Sequence, residues 1–145
     1  FKPDELGPFS TTMSGELFEL LSKQSILAHS IDPEANWSDT AFLAGIDHAT
    51  RPGGLLHHLF SVRSRNLSGE HTGAAGESYL SGLIIGHELS EMATAPASSI
   101  GIIGSHSLAQ RYQSALRHRG FDAICIDSEA ATILGALAIM QRLPN

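Results

Sequence analysis

The sequence predicts a mixed α/β protein, helix-rich through its first two-thirds and closing as strand–helix–strand–helix. Three observations point there. Apolar residues recur at helical spacing through most of residues 14–92. Two short apolar runs, at 99–104 and 122–126, are too brief for helices and end at turn residues. A helix-period segment follows each of them, as in a parallel sheet with crossover helices.

Taken in order, residues 1–12 read as a polar entry. Leu17, Phe18, Leu20, Leu21, Ile26 and Leu27 suit one helix from Ser14 to His29, with Ser14 or Thr12 as its N-cap. Asp32-Pro33 breaks the chain. A second helix, capped by Ser38, runs to His48 with Ala41, Phe42, Leu43 and Ile46 apolar. Arg51-Pro52-Gly53-Gly54 interrupts it, and Leu55–Leu67 resumes as a third helix. Ser68–Gly76, which holds Gly69, Gly73 and Gly76, reads as a loop.

Ser78–Met92 reads as a long helix with two apolar stripes, Leu80, Leu83, Ile84 and His87 on one, Ile85, Leu89 and Met92 on the other. Two such faces imply burial between layers. Gly82 and Gly86, four apart, would let another backbone approach closely. Ala95-Pro96-Ala97 ends this helix, and Ser99–Gly104 reads as a buried strand. Ser105–Arg119 is amphipathic: Leu108, Tyr112, Ala115 and Leu116 turn inward, Arg111, Arg117 and Arg119 outward, and Gly120 stops it. Asp122–Ile126 is a second buried strand. Asp127-Ser128-Glu129 then caps a final helix to Leu143, apolar nearly all round and therefore expected to be buried. Two strands make no sheet worth packing, and the sequence opens at Phe1 rather than Met. The expectation is a piece of a longer protein whose other part supplies the remaining strands.

Composition narrows the function classes. Nine Lys and Arg against fifteen Asp and Glu give a net charge of −6, which argues against non-specific binding to nucleic acid or an anionic membrane. One cysteine, Cys125, cannot close an internal disulfide, and there is no Cys pair for a structural zinc. Leu80–Ile85 and Ala130–Met140 fall short of a membrane span, and Phe1-Lys2-Pro3-Asp4 opens no signal peptide. The expected compartment is the cytoplasm.

The strand-to-helix turn Ile102-Ile103-Gly104-Ser105-His106-Ser107 is the best local place for chemistry. A Gly at the end of a parallel strand admits a ligand to the backbone, and the following helix offers unpaired N–H groups to an anion or nucleotide. It matches neither the dinucleotide nor the P-loop fingerprint, and a plain tight turn fits it too. His87-Glu88-Leu89-Ser90-Glu91 has a carboxylate where a zinc protease needs its second His, so no metal site is expected. His57-His58 point to different helix faces, one buried and hydrogen-bonded, one exposed. No acid lies between Asp47 and Glu70, whereas Arg51, Arg63 and Arg65 do: a positive island suited to a carboxylate or phosphate, or simply a solvated helix end. Cys125 reads as a small core residue.

Four stretches in order resemble the 2-keto-3-deoxygalactonokinase family of sugar-acid kinases: Phe9–Phe18 (FSTTMSGELF), Gly54–Arg63 (GLLHHLFSVR), Ser78–Leu89 (SYLSGLIIGHEL), and Ile103-Gly104-Ser105 through Leu108 and Tyr112 to Leu116. The resemblance covers most of the chain but only the C-terminal half of the family. It implies an actin-like ATPase (ribonuclease-H-like) architecture. Residues 1–145 would be part of the C-terminal lobe, with 1–76 a mostly helical insertion and 77–145 an α/β nucleotide-binding half. It further implies transfer of the ATP γ-phosphoryl to 2-keto-3-deoxy-D-galactonate, with Mg²⁺ neutralising charge. Gly104, Ser105 and Leu108 would meet ATP. Arg63, Thr12 and Glu16 would meet the sugar acid or a phosphate. The family's Asp-Gly-Thr-type phosphate loop is not in this sequence, so no catalytic base is assigned. A nucleotide-binding lobe without catalysis, an actin-like-fold kinase of another sugar, and a homo-oligomer stay open.

Overall fold

Ser25 divides what reads as one helix into two elements. In the computed structural model, which describes residues 11–91 and 100–141, Ser25 is extended (φ −103°, ψ 174°) between α1 (Ser14–Gln24) and a 3-10 turn (Ile26–Ser30). Its hydroxyl donates to the Leu21 carbonyl at 2.7 Å and accepts from the Leu27 N–H at 3.0 Å. One side chain therefore closes the first helix and opens the next turn. The N-cap of α1 is Met13, with no side-chain cap, rather than Ser14 or Thr12.

The chain separates into two compact units, Phe1–Ser90 and Glu91–Asn145. The first continues with α2 (Asp39–Ala49), α3 (Gly54–Leu67) and α4 (Gly73–Glu91). Ser38 caps α2 as expected, accepting from the Ala41 N–H at 3.2 Å. Helix α4 starts five residues earlier than the sequence suggests, inside the expected loop. Asp32 N–H bonds the Gly73 carbonyl at 3.0 Å, and the Ser30 carbonyl presses on Gly76 where any Cβ would collide. Gly76 serves close approach rather than a turn. The long helix expected to open the α/β half packs instead within this first unit.

Its core joins Leu27, Ala41, Leu59, Val62, Tyr79, Leu80, Leu83 and Ile84, with Leu17, Phe18 and Leu21 of α1 packed against it. α2 and α4 touch backbone to backbone: Gly45 lies against Tyr79 and Leu83, Gly82 against the Phe42 carbonyl, Gly86 against Ile46 and Ala49. The close approach expected at Gly82 and Gly86 is present. Met92 and Ala95-Pro96-Ala97 lie outside the described residues.

The second unit is β1 (Ile100–Gly104), α5 (His106–His118), β2 (Ala123–Asp127) and α6 (Ser128–Met140). The strands pair in parallel, from Ile100 opposite Ala123 to Gly104 opposite Asp127. Helix α5 ends at Gly120 (φ +84°), whose N–H bonds Arg117 O at 2.9 Å while the Phe121 N–H bonds Leu116 O at 2.9 Å. That pair is a Schellman motif, which a left-handed glycine permits. Asp127 caps α6, accepting from Ala130 N–H at 2.8 Å.

Three burial expectations fail in this unit. Helix α6 has no buried residue; Ile133 and Leu134 are 60% and 66% exposed. Both strands are mostly open, and Cys125 is an exposed thiol rather than a core residue. Leu108 is 45% exposed instead of turned inward; the buried residues of α5 are Ala109, Ala115 and Leu116. The reason is common to all three: apolarity marks a surface as needing cover, and among the described residues a two-stranded sheet with two helices supplies too little.

Candidate functional site

The β1–α5 turn gathers Gly104, Ser105 and Leu108. Ser105 is the N-cap of α5 (φ −61°, ψ 149°), but its hydroxyl makes no capping hydrogen bond, so the first-turn N–H groups point outward without a side-chain acceptor. Gly104 has no positive φ, and a Cβ there would meet no atom within 4 Å. Neither turn geometry nor packing therefore requires glycine at this position. What it provides is bare backbone beside a helix N-terminus, with the exposed Leu108 side chain on the same first turn. This arrangement can receive a negatively charged group on the N–H end and an apolar ring against Leu108.

The other expected site residues are not brought together. Thr12 and Glu16 are exposed at the entry and first turn of α1, and no described hydrogen bond or ion pair joins either to Arg63. The positive island also comes apart. Arg51 lies ahead of α3, while Arg63 and Arg65 sit two residues apart and so face different sides of that helix. The Arg65 guanidinium is 3.8 Å from Glu70, donates to His71 Nε2 at 3.4 Å, and lies 5.1 Å from the centre of the Tyr79 ring. Arg63, half-buried, stands on an outward stripe of α3 among Leu56, Phe60 and Leu67.

Inside the first unit lies a polar network that the sequence does not reveal. Ser61 donates to the His58 carbonyl; its oxygen lies 2.9 Å from the Tyr79 hydroxyl, which also meets His48 Nδ1. Donor counting gives a single consistent order: His48 Nδ1–H to Tyr79 Oη, Tyr79 O–H to Ser61 Oγ, Ser61 O–H to the His58 carbonyl. The His58 imidazole, fully buried, donates from Nε2 to the Pro52 carbonyl at 3.2 Å and accepts at Nδ1 from His87 Nε2 at 2.9 Å. His57 stays exposed, so the pair divides as its helix positions require.

His48 is held neutral. Burial first, then the nearby His58, Arg65, Arg51 and His57, push its pKa down to about 4. His71 is pushed down as well, by burial and then by Arg65, against a smaller opposing effect of Glu70. Because His48 gives its Nδ1 proton into the chain of hydroxyls, it does not act as a base toward Ser61. The network is a neutral clamp between α2, α3 and α4. Its one signal in the sequence is polar His58 and Ser61, three apart, beside the apolar face of α3. Among the described residues no three His, Cys, Asp or Glu side chains are placed to hold a metal ion. No described helix is long and apolar enough to cross a membrane.

Comparison with known proteins adds the missing context. The family model described as 2-keto-3-deoxy-galactonokinase matches residues 2–139. The 2-dehydro-3-deoxygalactonokinase of Escherichia coli (strain K12) is 31% identical over 143 residues, 97% of this chain and 49% of that protein. DgoK1 of Rhizobium meliloti (strain 1021), assigned the same activity, is 31% identical over 146 residues, 97% of this chain and 47% of its own length. The chain thus spans about half the length of the curated relatives it matches. A crystal structure from Sinorhizobium meliloti assigned to 2-dehydro-3-deoxygalactonokinase superimposes with a TM-score of 0.80 and 28% identity, over 90% of this chain and 45% of that one.

Proposed function

Since the chain belongs to the 2-keto-3-deoxy-galactonokinase family, we propose that the whole protein transfers the γ-phosphoryl of ATP to the terminal hydroxyl of 2-keto-3-deoxy-D-galactonate. The attacking hydroxyl oxygen forms the new P–O bond, the bond from the γ-phosphorus to the bridging oxygen breaks, ADP leaves, and the hydroxyl proton passes to solvent water. The observation that carries this reading is the ordered match over residues 2–139, supported by the superposition at 0.80. The actin-like ATPase architecture, with ATP in a cleft between lobes, belongs to the same proposal. So does the cytoplasm as its place of action.

Within that reading the β1–α5 turn takes the nucleotide. Gly104 lets the adenosine end approach the backbone, the uncapped N–H groups after Ser105 favour its polar atoms, and Leu108 gives an apolar contact. Thr12 and Glu16 are proposed for the sugar hydroxyls. Arg63 is not, because its neighbours on the outward face of α3 are Leu56, Phe60 and Leu67, surroundings suited to protein rather than to a sugar acid. The described residues do not assemble a Mg²⁺ site: no trio of acidic or imidazole ligands converges. Their part is to bind and orient.

The test is a ³¹P NMR time course of the whole protein with Mg-ATP and 2-keto-3-deoxygalactonate. A phosphomonoester signal growing with ADP is expected. Intact ATP with shifted resonances would replace the kinase by a nucleotide-binding lobe without catalysis. Turnover with a different sugar acid only would move the substrate assignment.

A further inference from the structure

Leu56, Phe60, Arg63 and Leu67 follow one another along the outward side of α3 at steps of four, three and four. On a helix of 3.6 residues per turn they fall within an arc of about 60°. That is the spacing of a coiled-coil seam. The side chains are open: Leu56 is 85% exposed, Phe60 56% and Leu67 70%. The other side of the same helix, with His58, Leu59 and Val62, is buried in the core of its own unit.

The stripe is also self-complementary. Leu56 and Leu67 are equally far from the midpoint between Ser61 and Val62, and so are Phe60 and Arg63. A second copy laid antiparallel about that midpoint sets Leu56 against Leu67 of the partner subunit. It sets the Phe60 ring against the guanidinium of Arg63 of the partner subunit, a cation–π contact. Parallel pairing would instead set Arg63 on Arg63. A twofold contact requires this reciprocity, in which the residue that gives also receives.

We propose that α3 is the contact surface between two copies of this chain, paired antiparallel about a twofold axis at Ser61–Val62. One helical seam per subunit is small beside the roughly 1,200–2,000 Å² of a tight complex, which places the association in the weak, reversible class. The pairing uses none of the residues assigned to nucleotide or sugar, so it stands or falls apart from the kinase reading.

Sedimentation equilibrium of the 145-residue chain across the micromolar range tests it. The mass should rise from monomer towards dimer with concentration. Leu56→Glu with Leu67→Glu should weaken the dimer at least about tenfold. Both positions are exposed, and an unchanged circular dichroism spectrum would show that the fold is kept. Register is read by oxidation. In a Cys125→Ser background, Leu56→Cys with Leu67→Cys should give a disulfide-linked dimer, whereas Leu56→Cys alone should not. Within one chain the two positions are about 16 Å apart along the helix, too far to bridge. A chain that stays monomeric throughout, a dimer indifferent to the two glutamates, or equal linkage by the single cysteine would each overturn the proposal. So would a monomeric whole protein in which a cysteine at position 56 resists thiol reagents, since the rest of the polypeptide would then own the stripe.

Discussion

Gly82 on α4 faces the carbonyl of Phe42 on α2 so closely that no side-chain carbon fits between them. This contact fixes the distance between the two helices, and the buried Tyr79, Leu80 and Leu83 depend on it for their packing. Gly45 reciprocates from α2 against the backbone of Tyr79 and Leu83.

Gly82→Ala should therefore destabilise the first unit by about 1–3 kcal/mol, the usual cost of forcing an extra carbon into a packed core. Urea denaturation followed by circular dichroism measures it. Gly15→Ala is the matched control, since nothing lies within 4 Å of that position. Equal stability of the two variants would show that α2 and α4 do not meet on Gly82.

Acid should weaken the fold before its carboxylates protonate. His48 binds a proton near pH 4 when folded but near its ordinary 6.5 when unfolded. Between those values the unfolded chain takes up more protons, so stability falls as the pH drops from 6.5 towards 4. His71, also pushed down, acts in the same direction. The urea midpoint at pH 5 should lie below that at pH 7.5, and His48→Gln should flatten the difference. A midpoint that rises on acidification would contradict the neutral imidazole.

Tyr79→Phe removes the hydroxyl that receives the His48 proton and donates to Ser61. Two polar groups lose their partner while the ring keeps its place, so a loss of about 1–3 kcal/mol is expected. The burial and the neighbouring positive groups that lower the His48 pKa stay in place, so that pKa should remain low; ¹H–¹³C NMR titration reads it. Unchanged stability would show that the hydroxyl bridge does not tie the three helices together.

Gly104→Val should reduce ATP affinity of the whole protein at least about tenfold while leaving its melting temperature unchanged, because open space surrounds that position. Isothermal titration calorimetry with ATP and a melting curve together decide it. Unaltered affinity would leave Gly104 as part of a turn only.

Local features were legible in the sequence, and distant ones were not. Ser38 as a cap and Gly120 as a stop depend on a few neighbouring residues, and both stand where the pattern puts them. Gly73 and Gly76 look like loop formers. They sit in a helix that meets residues some forty positions earlier: the Ser30 carbonyl packs on Gly76, and the Asp32 N–H bonds the Gly73 carbonyl. Cys125 and the apolar residues of α6 show the same limit from the other side, since burial depends on what lies across the gap rather than on the strand or helix itself. The clamp of His48, Ser61 and Tyr79 joins three helices across 31 residues, and only the three-residue step from His58 to Ser61 hints at it. The ordered resemblance to a kinase family was readable because it sums many positions. Arg63, Thr12 and Glu16 each rested on one position, and no described contact gathers them.

The bare apolar flank of α6 changes how a preparation of this chain would behave at the bench. Ile133, Leu134 and Ile139 offer a landing place for amphiphilic dyes while every helix remains formed. Such a dye would brighten in the presence of well-folded material, a response ordinarily taken to mean that tertiary packing has melted. Thermal shift assays with those reporters would start from a high baseline and show a blunted transition. Backbone spectroscopy on the same sample would still report the helices as formed.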